Sequence, residues 1–317
     1  MKFPVLAGLA ASLIALSAFA QQWPQKPVKI VVPYAAGGNT DSLARLASER
    51  LSALGQQFVI EHRTGAAGLI AAEYVARAPA DGYTLFMATL TQIVTAPFTN
   101  RINFDPTRDF VPISIIGTNP FIIAVSASVP VNDLPEFVSY TKARPGQLNF
   151  ASAGYGGLTY LSGALFLQRA GLEVVNVSYK GGAPALIDLL SGQVQMYSGS
   201  PSEILPHAKS NRIRLLGVSS EKRMKQLPDV PAIAEFYPGH GAVTWNGLVA
   251  PAGTPSAVIM RVSQEIQKAM RDPQFVSQLE QIGVDPVLHT PEEFATAIRR
   301  EIEQWGALIK AAGIKPE

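Results

Sequence analysis

Cysteine is absent from the 317 residues. No disulfide can staple the fold, and no cysteine is available to carry an N-terminal lipid. Histidine is scarce: His62, His207, His240 and His289 show no pair at helical i, i+4 spacing. With no thiolate beside them, a zinc site is not expected and each reads as a surface histidine. Charge is sparse and nearly balanced, at 26 Lys+Arg against 24 Asp+Glu, with no dense basic run. That excludes nucleic acid as a partner, and the sequence pI of about 8.7 is too mild a bias to decide more. Walker-type loops and Gly-x-Ser-x-Gly elbows are missing. Ser219-Ser220-Glu221-Lys222 has Ser-x-x-Lys spacing but lacks both companion motifs, so chance explains it better. Gly154-Tyr155-Gly156 begins like a dinucleotide fingerprint, yet Thr159 stands where the last glycine belongs. No cofactor, metal or catalytic residue is expected.

Long apolar runs are also lacking, except at the start. Lys2, the apolar stretch Val5 to Leu16 and the small residues Ala18 and Ala20 form a secretory signal, with cleavage expected near Ala20. About a dozen apolar residues fall short of the roughly 20 needed to span a bilayer. The expected mature chain is a periplasmic monomer of about 297 residues, enough for two domains with their own cores.

What is present is alternation. Val28–Val32 reads as a strand, Leu43, Leu46, Ala47, Leu51 and Leu54 as one helical face ending at Gly55, and Phe58–Glu61 as a second strand. A helix through Ala78 and a third strand over Thr84–Ala88 follow. This βαβαβ order predicts a parallel sheet with right-handed crossovers. Between the first strand and helix, Gly37-Gly38-Asn39-Thr40-Asp41 predicts an anion cradle, with glycines for close approach, a helix N-terminus of partial positive charge, and Thr40 or Asp41 as cap. A plain tight turn is the alternative.

The plan restarts in mid-chain. Phe121–Val125 reads as a strand, and Asp133 with Glu136 as a capping box. Gln147–Ala151 is a strand that meets a glycine turn at Ser152 to Gly157, and Val174–Tyr179 is a strand that meets a second turn at Lys180 to Pro184. Facing lobes follow. A short strand at Trp245–Val249 and proline-started helices after Thr254, Asp272 and Thr290 are expected to return and cover the first lobe. The expected division is 1–20 signal, 21–122 with 246–317 as one lobe, and 123–245 as the other, with hinges near 120 and 245. Tyr155 and Tyr160 read either as half-buried aromatics or as a platform in the cleft, and Lys180 either as solvated or as lining it.

Pro33-Tyr34-Ala35-Ala36-Gly37-Gly38-Asn39-Thr40-Asp41 resembles the first ligand loop of Bug/TctC-type solute-binding proteins of tripartite tricarboxylate transporters. Asp81-Gly82-Tyr83-Thr84, Ser152-Ala153-Gly154-Tyr155-Gly156, Tyr179-Lys180-Gly181, Leu227-Pro228-Asp229-Val230-Pro231 and Ala250-Pro251-Ala252-Gly253-Thr254-Pro255 match in order. The resemblance implies a two-lobed α/β periplasmic-binding-protein fold of the type II, Venus-flytrap kind. It also implies a carboxylate pinched between loops and handed to permease subunits. Carried over by position, the ligand residues are Tyr34, Gly37, Gly38, Asn39, Thr40, Asp41 and Thr89 in the first lobe. In the second they are Ser152, Gly154, Tyr155, Gly156, Gly157, Tyr160, Lys180, Gly181, Ala183 and Pro184. Ala35-Ala36 replaces a common Pro-Pro, Gly157 a serine, Tyr160 a histidine and Gln195 an aspartate, a pattern that favours a mono- or dicarboxylate with a less polar, even aromatic, distal group. Two rival readings remain: a sensory protein touching a kinase ectodomain, and a hydrolytic enzyme, which would need a converging titratable pair.

Overall fold

The computed structural model describes residues 23–316, so the expected signal and its cleavage site lie outside the described residues. The elements run β1 (Val28–Val32), α1 (Asn39–Leu51), β2 (Phe58–His62), α2 (Leu69–Ala76), β3 (Thr84–Thr89), α3 (Ala96–Thr99), β4 (Phe110–Pro120) and β5 (Ile122–Ser126). They continue as α4 (Leu134–Lys142), β6 (Asn149–Ser152), α5 (Leu158–Ala170), β7 (Val175–Ser178), α6 (Gly182–Ser191), β8 (Met196–Gly199), α7 (Pro201–Ile204) and β9 (Ile213–Val218). The chain closes with β10 (Val243–Pro251), α8 (Ser256–Ala269), α9 (Pro273–Gln281), β11 (Asp285–Pro286) and α10 (Pro291–Ala311).

Two mixed sheets result, ordered β11-β4-β10-β3-β1-β2 and β7-β6-β8-β5-β9. β1 pairs in parallel with both β2 and β3, as the βαβαβ reading requires. Because successive side chains of a strand point to opposite faces, Val31 joins one apolar cluster while Ile30 and Val32 join another. The second sheet repeats this, with Ile123 and Val125 on one face and Ile122 and Ala124 on the other. Strands buried on both faces need helices on both, which explains their near-continuous apolar runs. α8 covers the first sheet through Val258, Ile259, Val262, Ile266 and Ala269, a helical i, i+4, i+8 stripe whose large members each contribute about 1.5–3 kcal/mol when buried.

The eleven-residue β4 and the strands β8 and β9 were not anticipated. β4 lacks alternation, and its Pro112 sits where the ladder with β10 slips register, a place where a missing N–H is tolerated. Val243–Trp245, assigned from sequence to the second lobe, pair with Pro120, Asn119 and Thr118 of β4. Ile122, assigned to the first, pairs with Gly199 and Val218. Both crossings between sheets meet at the fully buried Ser219. Phe121 N–H donates to its Oγ at 2.7 Å and its own N–H donates to Phe121 C=O at 2.8 Å, while its hydroxyl donates to Ala242 C=O at 2.5 Å. The serine of the Ser-x-x-Lys spacing thus clips the two crossing strands together. Among the described residues no helix is long and apolar enough to cross a membrane.

Candidate functional site

The Gly37–Asp41 loop lies at the carboxyl end of β1, and its positive φ falls at Gly37 (+83°). Gly38, at φ −85°, is the N-cap of α1, so the helix starts ahead of the expected caps Thr40 and Asp41. Those two side chains do other work. Asp41 is buried, and its carboxylate accepts from Gly37 N–H at 2.9 Å, Arg45 Nε at 3.0 Å and His62 Nε2 at 2.8 Å. Burial works to raise its pKa, but these partners outweigh burial and hold it below the ordinary value. Asp41 is a clamp on the turn, not a cavity residue. Thr40 donates to Asn246 Oδ1 of β10 at 2.9 Å.

A cavity of about 40 Å³ opens between the two sheets. That is room for a few water-sized groups. Of the expected residues, Tyr34, Gly38, Asn39, Thr40 and Thr89 line it. The first lobe adds Thr91, Thr244 and Asn246, and the second adds Ala153, Leu158, Thr159, Gly182, Tyr197, Ser200 and Glu203, with Phe121 at the crossing. Hydroxyls and amides dominate. Asn246 is fully buried and its Nδ2 has no partner, leaving a donor in the cavity wall. Tyr34 is held by Gln92, whose Nε2 donates to the phenol oxygen at 3.0 Å and to Ala67 C=O at 2.7 Å. Thr89 Oγ1 donates to the same amide's Oε1 at 2.9 Å.

Glu203 is one of the cavity residues that the sequence alone did not point to. It follows Ser200 by three positions, a capping-box spacing for α7, and its carboxylate accepts from Ser200 N–H at 3.3 Å. That signal was legible. The same carboxylate also accepts from Tyr197 Oη at 2.7 Å and, across the cleft, from Asn39 N–H at 3.2 Å. Asn39 begins α1, where N–H groups have no intrahelical acceptor. The helix end expected to meet a ligand's anion therefore already holds an internal one. Burial pushes Glu203 above its ordinary value, against these three donors. Burial, then the neighbouring Glu203, pushes Tyr197 well up.

The second-lobe glycine turns are used for contact between lobes. A Cβ on Gly154 (φ +121°) would lie 2.8 Å from the Ala67 backbone, and one on Gly181 would lie 2.9 Å from Ala35 N. A Cβ on Gly156 would lie 2.6 Å from Asn100 Oδ1, while Gly157 is the N-cap of α5. Ala35 N–H donates to Lys180 C=O at 3.1 Å, Leu158 N–H to Thr91 Oγ1 at 3.1 Å, and Ser202 Oγ to Asn39 Oδ1 at 2.8 Å. The lobes are thus shut on one another. The Lys180 side chain is exposed, and Ala183 and Pro184, in the first turn of α6, lie outside the cavity lining, with Ala183 facing Gly37. Ser152 is buried below the turn with its hydroxyl unpartnered.

The platform reading of the two tyrosines gives way to packing. Tyr155 and Tyr160 lie ring against ring at 4.5 Å, Tyr155 Oη reaches Lys315 C=O at 3.3 Å, and Tyr160 stacks on Phe150. The cavity's aromatic surface comes instead from Tyr34, Phe121 and Tyr197. Gln195 ties Asn149 N–H to Gly192 C=O and takes no part in the cavity. Among the described residues no group of three His, Cys, Asp or Glu side chains is placed to hold a metal ion.

Residues 43–314 match the model of the tripartite tricarboxylate transporter family receptor. A structure of Rpa4515 from R. palustris with adipate is 36% identical, with a TM-score of 0.90 over 93% of this chain and 100% of that one. The periplasmic binding protein BugD is 32% identical, with a TM-score of 0.90 over 93% and 100%. MatC from Rhodopseudomonas palustris with bound malate is 30% identical, with a TM-score of 0.86 over 90% and 100%.

Proposed function

The chain belongs to the tripartite tricarboxylate transporter receptor family, and from that premise we propose that it is a periplasmic receptor for a small organic mono- or dicarboxylate. It closes its two lobes around the acid, makes no covalent change to it, and passes it to the membrane permease subunits of a tripartite transporter. The observation that carries this reading is the cavity between the two sheets, walled by hydroxyls and by the unpartnered amide of the buried Asn246. Backbone and neutral donors fix a carboxylate without a titratable partner of their own. Similarity to receptors solved with adipate and malate supports the ligand class. The N-terminal signal and a family of periplasmic binding proteins support the location.

Closure is assigned to the paired crossings at Phe121 and Ala242, which Ser219 ties together. The ligand residues assigned are Tyr34, Gly38, Asn39, Thr40 and Thr89, joined by Asn246 and Glu203. Thermal unfolding of ligand-stripped protein against a panel of organic acids tests the function. An acid at about 100 times its dissociation constant adds about 2.7 kcal/mol and raises the midpoint measurably. A panel of mono-, di- and tricarboxylates that leaves the midpoint of folded protein unmoved would count against the receptor.

A further inference from the structure

Glu203 is the only charged side chain lining the cavity among the described residues, where no lysine, arginine or histidine faces it. It is 7% exposed, and it presses so closely on Gly182 that a Cβ there would collide with its carboxylate. An ionised carboxylate offers about four acceptor sites. Three are filled, by Tyr197 Oη, Ser200 N–H and Asn39 N–H. The titratable groups packed against it are Tyr197 and Tyr34, both driven upward by burial and neither able to supply a positive charge. Asp41, on the same helix as Asn39, turns its carboxylate away to Gly37, Arg45 and His62. The cavity therefore presents two unlike groups, an acceptor at Glu203 and a donor at Asn246 Nδ2, which has no partner.

We propose that Glu203 sets the ligand class, so that this receptor takes a small acid with one carboxylate and a hydrogen-bond donor, such as an amide, at its other end, and rejects a second carboxylate. The proposal rests on the receptor reading and narrows it. The acid's carboxylate faces Asn246 and the threonine hydroxyls, and its donor meets the remaining acceptor site of Glu203. A second carboxylate in that place would put two like charges within about 4 Å with no cation between them, a penalty between about fivefold and about a thousandfold in affinity, depending on how much water remains.

Calorimetry at pH 8 with straight-chain dicarboxylates of three to six carbons, each beside its own monoamide and the plain monocarboxylate of equal length, decides it in wild type and in Glu203→Gln. The expected result is a monoamide bound at least about fivefold more tightly than its diacid by wild type. Glu203→Gln should lose that preference and gain at least about fivefold in affinity for the diacid. Wild type binding the diacid as tightly as the monoamide overturns the proposal, as does a plain monocarboxylate binding more tightly than the monoamide. So does an unchanged ratio in Glu203→Gln. If that variant fails to fold, the wild-type ratio decides alone. A wild type that binds no acid of any kind overturns the receptor reading with it, and binding of diacids only overturns Glu203's role while leaving the receptor standing.

Discussion

Asp41→Asn separates a loop clamp from a ligand contact. The Asp41 carboxylate is buried and holds three donors within 2.8 to 3.0 Å. The amide keeps one acceptor oxygen and turns an N–H₂ toward Arg45 or His62, so at least one charge-assisted bond is lost and one donor faces another. Each hydrogen bond to a charged group is worth about 1.5–3 kcal/mol, with Arg45 discounted because its side chain is 60% exposed. The expected cost is about 2–4 kcal/mol, or roughly 3–6 °C in melting midpoint for a chain of this size. Because the folded-state pKa of Asp41 lies below its unfolded value near 3.9, its contribution is fully present above about pH 4 and fades as pH falls through the folded value. The gap between melts of wild type and Asp41→Asn should therefore hold from pH 7 to about pH 5 and narrow as pH falls further. The reasoning is refuted if the variant melts like wild type at pH 7 yet loses ligand binding, since the carboxylate would then be touching the ligand and not the turn.

Other expectations follow from the same geometry. Asn246→Ala removes the unpartnered cavity donor and should weaken carboxylate binding by about tenfold to a hundredfold in titration calorimetry, corresponding to about 1.5–3 kcal/mol; unchanged affinity would remove Asn246 from the site. Gly154→Val places a branched side chain at φ +121° against the Ala67 backbone and should hold the lobes apart, enlarging the radius of gyration in X-ray scattering and lowering affinity, whereas a compact, tight-binding variant contradicts the contact. Tyr155→Ala and Tyr160→Ala should leave ligand affinity within about threefold of wild type, because neither ring lines the cavity; a larger loss in either would return the rings to the site. Ser219→Ala removes both side-chain bonds at the crossing and should destabilise the protein by about 1–3 kcal/mol in urea unfolding, and a neutral effect would show that the clip holds nothing.

Much of the architecture was legible because it rests on local rules. The strand-to-helix turns at Gly37, Gly157 and Gly181 and the proline-started C-terminal helices all follow from spacing a few residues apart. β4 escaped because burial on both faces erases alternation, and Met196–Gly199 because four residues carry too little pattern. The cavity was only half legible. Residues 37 to 41 read as an anion cradle from glycine and helix-cap chemistry, while Tyr34 and Thr89 entered only through the family resemblance. Glu203 and Asn246 join them only through tertiary structure, 164 and 206 positions beyond their partners Asn39 and Thr40. A glycine that lets a ligand approach looks the same in sequence as one that lets another lobe approach, which is why Gly154, Gly156 and Gly181 were read as ligand residues while packing on the facing lobe.

The most direct test of the central claim is a crystal structure of the protein loaded with the acid that gives the largest thermal shift. The account predicts that acid intact between the two sheets, one carboxylate oxygen at about 3 Å from Asn246 Nδ2 and from a threonine hydroxyl of the same wall. Density for the acid at any other place, or for a cleaved product in the cavity, would contradict it.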